Sequence, residues 1–567
     1  MAKGTPSTSK KVCFLLCIIL STSFLFLFYF PTLKNPNSVL FSVIGDGIQN
    51  YHQFFYHANY DSMYLEFEGQ NYPYSENVIF AETQPIFSSA IKFISENVIN
   101  IAPYAIGIMN LAIILMLIPT ALLLFLILCR FKLPPWYALF VSVGIALLSP
   151  QILRMYGHWG LSYTIFIPLA WYLLLLFNEK PSYWLSGLIM LNAVIWGFIH
   201  LYLVYILCVF AGFFWLGCYL KRRDRFKIPQ MLPHFFIQVP LPAFILASFL
   251  LLTTEVSGRL EPVAAWPTNL WGVLFPHTSL FIKIFDADIE QTGYIGVVGL
   301  VVFLFSVWRV LKFIKLKKYH RINSLTSNTP LMISLVAAVG LFVFGMIDPL
   351  RFFPYVNNFR AAGRLAWVFF YVFTVFSFYT VFLLFRYLKI KENLWGARSL
   401  LISALCLLFI EATILNNKMS SATQNLRVEL QDETLSLPTT EWIKHVDINR
   451  YQAIIPIPYF YITARLQTPA LSKYIAIIAS MKTGLPLTGS ATPRAFREMW
   501  EKQREILDPK IKKKRIIEDY PNKKPFLILA TYSGLLPEEE ALLKKAIPLF
   551  ENETMRALEL PFDRISR

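Results

Sequence analysis

Residues able to do acid–base or phosphate chemistry fall in a few short stretches between long apolar runs. Asp46, in IGDGIQNYHQ (44–53), comes soon after the first of those runs. A carboxylate at the edge of an apolar phase, partly stripped of water, suits a general base or a cation ligand. Its flanking glycines let the backbone turn tightly and approach a bound group. The alternative is a helix cap, with Asp46 opening a helix through Gln49, Phe54 and Tyr56. Glu82 and Gln84, in FAETQPI (80–86), offer a second acid and a hydrogen-bond partner for a sugar or phosphate, or plain loop polarity.

Two histidines sit at the ends of successive apolar runs, His158 with Arg154 in SPQILRMYGHWGL (149–161) and His200 with Tyr202 in FIHLYLVY (198–205). Singly each reads as a structurally satisfied histidine. Together, with an arginine beside one, they can bind a phosphate or steer a leaving group. Arg360 and Arg364, in NNFRAAGRLAW (357–367), stand four apart at the start of another run. On a helix that spacing puts both guanidinium groups on one face. A helix N-terminus disfavours cations, so an anion is expected nearby, whether a bound phosphate or lipid headgroups. Glu255, Arg259 and Glu261, then Asp286, Asp288 and Glu290, extend the polar ring.

The elements that must position these residues are membrane helices. Of 567 residues 56% are hydrophobic and only 15% charged, where a soluble chain carries about 25%. Eleven apolar spans are predicted, near 12–31, 103–129, 136–150, 161–177, 183–199, 201–219, 231–252, 293–313, 330–347, 364–385 and 399–415. The third and fifth are short for a crossing. The first, preceded by Lys10 and Lys11, resembles a signal peptide but has no small-x-small cleavage site, so it is read as retained.

Sidedness follows from charge. With residues 1–11 as a cytoplasmic tail, the inner segments hold 21 Lys+Arg against three acids. The outer segments before residue 416 hold eight against 13. That asymmetry is the positive-inside pattern. It places the polar residues above, the loop 32–102 and a C-terminal region 416–567 on the outer face. The stretch 86–100 is expected to lie along the interface as an amphipathic helix. In 416–567, IIPIP (454–458) and PFLILATYS (525–533) read as buried strands and 493–507 and 537–546 as helices. The expected fold is therefore an all-α polytopic bundle, 12–415, with a large first outer loop and an extracytoplasmic α/β domain.

The formal charge of +17 lies largely in short inner clusters, so it reads as topology signal and not as a nucleic-acid surface. The six cysteines lie in or at the ends of apolar spans with no CxxC pair, which argues against a disulfide framework or a cysteine metal site. No P-loop, dinucleotide motif or DxD-type pair occurs in an inner segment, which disfavours cytoplasmic nucleotide-driven chemistry. Glu411 is the one clear acid inside a span, close enough to its outer end to snorkel. Ion-coupled transport, which places ionisable groups near the midplane, is disfavoured.

A first span followed by a long outer loop with an early acid (GDGIQNYHQ), many spans and a C-terminal outer domain resembles the GT-C superfamily of membrane glycosyltransferases. GHWGL (157–161), His200-x-Tyr202, GYIGVVGL (293–300), FRAAGRLAW (359–367) and NYPYSENVIFAETQP (71–85) look like YfhO-like and related bacterial multi-pass members. The resemblance covers about 12–415. It implies a bacterial inner-membrane enzyme moving a sugar from a polyprenyl-phosphate donor, on the periplasmic side, to a glycan, lipid or protein acceptor. Asp46 would be the base and Glu82 a second acid. A divalent cation, Mg or Mn, would sit on Asp46 and Glu82 if anywhere, although the two do not form the adjacent acidic pair of the family. The alternative is a non-enzymatic flippase or scaffold for envelope polysaccharide assembly. Membrane lipids are expected partners, and oligomeric state is left open.

Overall fold

The computed structural model describes residues 6–43, 46–221, 228–253, 265–276, 289–318, 326, 328–349, 359–424, 438–461, 470–490, 497–511 and 513–565. Helix α1 (Pro6–Lys34) leaves helical geometry at Tyr29, φ −119°, just before Pro31. The proline ring has no N–H to donate and crowds the carbonyl four residues back.

The loop after α1 is itself folded. Helix α2 (Asp46–Asn59) is followed by a short antiparallel pair, β1 (Glu66–Phe67) and β2 (Glu76–Asn77), and by α3 (Pro85–Asn97). In α3, Ser88 and Ile91 are buried while Phe93 is exposed, the two-faced pattern expected of an interfacial helix.

The bundle continues through α4 (Ala105–Leu115), α5 (Leu117–Arg130), α6 (Pro135–Leu147), α7 (Phe166–Glu179), α8 (Tyr183–Gly197) and α9 (Leu201–Lys221). It then runs through α10 (Ile228–Gln238), α11 (Pro240–Thr253), the short α12 (Leu270–Leu274), α13 (Gly296–Lys315), α14 (Thr329–Ile347), α15 (Ala366–Ile390) and α16 (Leu394–Gln424). Among the described residues ten helical stretches are long and apolar enough to cross a membrane. Five of them join adjacent elements, as when a 3₁₀ turn, α4 and α5 together make Ala102–Arg130. The predicted fifth span is α8, a shorter apolar helix of 15 residues, at 1.5 Å per residue about 22 Å against a core of about 30 Å. The short third span is lengthened by a 3₁₀ turn, Pro150–Tyr156.

Helix α15 is the central post. From Ala366 to Tyr379 every residue is buried, as expected of a helix apolar all round. Helix α13 is peripheral, with Val301, Leu304 and Trp308 exposed where lipid would cover them. Several polar groups within the bundle are paired internally, which a hydrocarbon surround favours. Asn416 donates to the Leu147 carbonyl at 2.7 Å and accepts from the Tyr29 hydroxyl at 2.9 Å. Glu411 does not snorkel. It is buried, accepting the Val297 N–H at 3.1 Å and the Tyr294 hydroxyl, so it caps α13.

The C-terminal part forms a four-stranded sheet, β3 (Ile454–Ile457), β4 (Phe526–Thr531), β5 (Ile547–Glu551) and β6 (Met555–Leu560), in the order β3-β4-β6-β5. Strands β3 and β4 are parallel and the other pairs antiparallel. Helices α17 (Ala470–Thr483), α18 (Arg497–Glu505), α19 (Pro537–Lys545) and α20 (Phe562–Ile565) complete it. The period-two alternation of strands splits the sheet between two cores. Ile454, Leu527 and Leu529 join the cluster that runs on into the bundle, while Ile455, Phe526 and Ile528 build a separate core on the other face. Both predicted strands and both predicted helices are present in their described parts. Strands β5 and β6 were not anticipated, because β5 carries Pro548 beside a register irregularity and β6 buries the consecutive Ala557 and Leu558, so neither alternates cleanly.

Candidate active site

Asp46 is the first residue of α2, where its charge complements the helix dipole, and its side chain is 61% exposed. The turn bearing His158 packs directly on this end. The Trp159 indole N–H donates to the Gly47 carbonyl at 3.1 Å. A Cβ on Gly47 would come within 2.7 Å of Ser42, so the glycine lets the chain before α2 lie close against the helix start.

His158 stands among three carboxylates. Its Nε2 lies 3.7 Å from Asp46 Oδ2 and 3.6 Å from Glu290 Oε1, and its Nδ1 lies 4.0 Å from Glu82 Oε2. These separations suit charge interaction but exceed direct hydrogen bonds. Glu82 is also 3.7 Å from His200 Nε2 and accepts a hydrogen bond of 3.0 Å from Asn50, whose amide also donates to the Asp46 carbonyl. Glu82 adopts φ +54°, a left-handed conformation that an L-residue holds at a cost.

Glu290 anchors the cationic side. Its Oε1 accepts from Arg154 Nη1 and its Oε2 from Arg364 Nε, both at 2.7 Å. Arg154 is fully buried and also donates to the Ile289 carbonyl at 2.6 Å, with its guanidinium 5.3 Å over Trp367. Arg364 lies 4.1 Å over the Tyr202 ring, and Tyr202 accepts the Ala361 N–H through its hydroxyl at 2.9 Å. The Arg364 Nη1 atom is buried with no hydrogen-bond partner among the described residues.

Burial alone would raise the Glu82 carboxyl, but His200, His158 and Asn50 outweigh it and hold it down at about 2. Burial likewise opposes ionisation of Glu290, and Arg364 and Arg154 overcome it, keeping it well below the usual range. For His158 burial dominates and lowers the imidazole below its ordinary value, with Glu82 pulling the other way.

The structure thus gathers Asp46, Glu82, Arg154, His158, His200, Tyr202 and Arg364 at one place. Two of the expected substrate-binding residues need correction. Gln84 is buried and engaged elsewhere, its Oε1 accepting the Tyr163 hydroxyl at 2.7 Å and its amide donating to Met109 Sδ at 3.3 Å. Arg360 does not share a helix face with Arg364. Residues 359–361 are irregular, Ala362–Leu365 form a 3₁₀ turn and α15 begins only at Ala366. Arg360 instead lies 5.5 Å over Trp266. The anion found beside Arg364 is the protein's own Glu290. Glu255, Arg259, Glu261, Asp286 and Asp288 lie outside the described residues.

Among the described residues no group of three His, Cys, Asp or Glu side chains is arranged to hold a metal ion. Asp46 and Glu82 instead face the His158 ring from two sides, and Glu82 already has the Asn50 amide. Two nearby residues carried no sequence signal. Asn50 is one turn along α2 from Asp46, a spacing that has meaning only once the helix is known. Lys473 comes from α17, far away in the chain, and its charge interacts with that of Asp46.

Among solved structures, the chain is similar to ArnT from Cupriavidus metallidurans bound to undecaprenyl phosphate, at 10% identity and a TM-score of 0.46, covering 96% of this chain and 97% of that one. It is also similar to the Archaeoglobus fulgidus oligosaccharyltransferase complexed with zinc and sulfate, at 14% identity and a TM-score of 0.42, covering 96% of this chain and 72% of that one. No curated protein matches the sequence. Residues 17–412 match the model of the family described as a domain of unknown function, DUF6311, and the chain belongs to that family.

Proposed function

We propose that this multi-pass membrane protein is a glycosyltransferase of GT-C type, taking a sugar from a polyprenyl-phosphate donor at the outer face of a bacterial inner membrane. The observation that carries the reading is the polarity of the cluster, with an exposed carboxylate, Asp46, at one end and two buried guanidinium groups at the other, linked through His158 and Glu290. Such an arrangement suits a displacement at an anomeric carbon. The acceptor oxygen bonds to that carbon as Asp46 takes its proton. The bond from carbon to the phosphate oxygen breaks, and its electron pair leaves with the polyprenyl phosphate. Arg364, with Nη1 buried and unpaired among the described residues, is oriented by Glu290 to meet that charge. Arg154 and Arg360 add to the positive field, and His158 and His200 keep Glu82 ionised beside the path.

Asp46→Asn, compared with the parent at equal membrane abundance, is expected to lose glycan modification by 10²-fold or more, the order of a missing general base. Full modification by that variant overturns the assignment of Asp46. A flippase or scaffold would instead tolerate the change and move the sugar lipid between leaflets with no product formed.

A further inference from the structure

The first outer loop holds a second group of side chains able to do chemistry. We propose that Ser89, His57 and Asp61 act as nucleophile, general base and orienting acid in cleaving a carboxylic ester carried by a membrane lipid. The proposal stands apart from the glycosyltransferase reading, since none of the three belongs to the cluster around His158.

Helix α2 fixes the base. One of its faces is tied to α17, where the His52 ring bonds Ser480 Oγ at 2.9 Å and the Tyr56 hydroxyl donates to the Gly484 carbonyl at 2.8 Å. His57 reaches α3 instead. Its Nδ1 lies 2.7 Å from Asp61 Oδ2 and its Nε2 lies 3.1 Å from Ser89 Oγ, both hydrogen-bond distances. Asp61 comes four residues after His57, where the chain is still wound, its N–H on the Tyr56 carbonyl at 3.3 Å. Its other oxygen, Oδ1, accepts the Glu68 N–H at 2.9 Å, and the Lys92 ammonium donates to its carbonyl. The acid is held on every side.

Those partners decide the tautomer. A carboxylate only accepts, so in a neutral ring Nδ1 carries the proton and Nε2 is left to accept the Ser89 O–H. Nucleophile on one ring nitrogen and orienting acid on the other is the order that activates a serine. The His57 and Asp61 side chains are fully buried and Ser89 is half-buried, so the hydroxyl is the member of the three open to a substrate. Ser89 Oγ bonds to the ester carbonyl carbon as its proton passes to His57 Nε2. The bond from that carbon to the ester oxygen breaks, and the alcohol leaves with the electron pair and that proton. Water then gives a proton to Nε2 and bonds to the acyl carbon, and the acid departs as Ser89 Oγ recovers its pair and the proton.

The surroundings of α3 give the substrate class. Phe93, one turn on from Ser89, is exposed, and so are Val98, Ile99 and Tyr104 beyond it. The next membrane-length stretch begins at Ala102. Apolar side chains bared just ahead of a span meet the lipid boundary. An acyl chain lying along Phe93 brings its ester to Ser89.

The test is labelling of the purified full chain in nanodiscs by a fluorophosphonate, read by peptide mass spectrometry, with hydrolysis of p-nitrophenyl palmitate as the second measurement. The label is expected on Ser89 of the native parent, not of the urea-denatured chain, and about 10²-fold more slowly in His57→Gln. Ser89→Ala is expected to lose palmitate hydrolysis while keeping the parent's melting temperature and glycan modification. Asp61→Asn is expected to lower kcat with KM unchanged; a rise in KM alone overturns its orienting role. Absence of label on Ser89, or hydrolysis equal in parent and Ser89→Ala, overturns the proposal and leaves the three side chains as a tie between α2 and α3. Faster hydrolysis of p-nitrophenyl acetate than of the palmitate overturns the lipid assignment alone.

Discussion

His158 meets three carboxylates yet is held below its ordinary pKa by burial. The unfolded imidazole, with a pKa of about 6.5, therefore takes up a proton that the folded one refuses. Stability is expected to decline as pH falls below about 6.5, and His158→Gln removes that part of the decline, measurable as the melting temperature of purified protein against pH. Glu82 acts in the same direction at lower pH. Its folded pKa is depressed to about 2, so its contribution is complete above about 4.5 and is lost between there and about 2. Glu290 is the structural keystone of the cluster. Replacing it by glutamine sets two buried guanidinium charges against a neutral amide, at a cost of about 3 kcal/mol. Adding Arg364→Gln is expected to restore part of the loss, read by denaturant unfolding of the single and double variants.

At the scale of elements, the site is a meeting of segment ends. Asp46 opens α2, His158 lies between two 3₁₀ turns, His200 sits at the bend between α8 and α9, and Arg364 lies just ahead of α15. These positions were legible because polar residues at the ends of apolar runs have few other places to be. The fate of Arg360 was not. The Trp266 N–H donates to the Arg360 carbonyl at 2.7 Å and the Gly363 N–H to the Trp266 carbonyl at 2.8 Å, and this long-range pairing takes the place of a first helical turn. Gln84 was misread because its partners, Tyr163 and Met109, lie on other helices. The α2–α17 contact is the element most open to test. Ser480→Ala removes one partner of His52 in a buried setting and is expected to cost about 1–2 kcal/mol. Amide exchange should quicken over 470–483 while α15 is unchanged.

Over the whole molecule, apolar run length alone located the spans, and all ten long stretches and α8 correspond to predicted ones. What composition could not reveal is that the loop after α1 and the chain beyond α16 share a core, since no local pattern encodes a contact 428 positions apart. The sidedness on which the proposed chemistry depends rests on basic residues between spans. In a variant lacking the six native cysteines, a cysteine at Lys513 and one at Lys391, both exposed, are expected to react with an impermeant maleimide from opposite sides of the membrane. Reaction from the same side would place the C-terminal domain across from the proposed donor.

The pairing of α2 with α17 also has a meaning for biosynthesis. The ribosome releases the second helix of the chain early, with His52 and Tyr56 made but their partners some four hundred codons from translation. Chains this size fold progressively from the N-terminus. Until residues 470–484 are made, that helix must wait with polar side chains unmatched. Synthesis halted after the last span would leave an inserted bundle whose second helix lacks the partner that buries His52 and Tyr56.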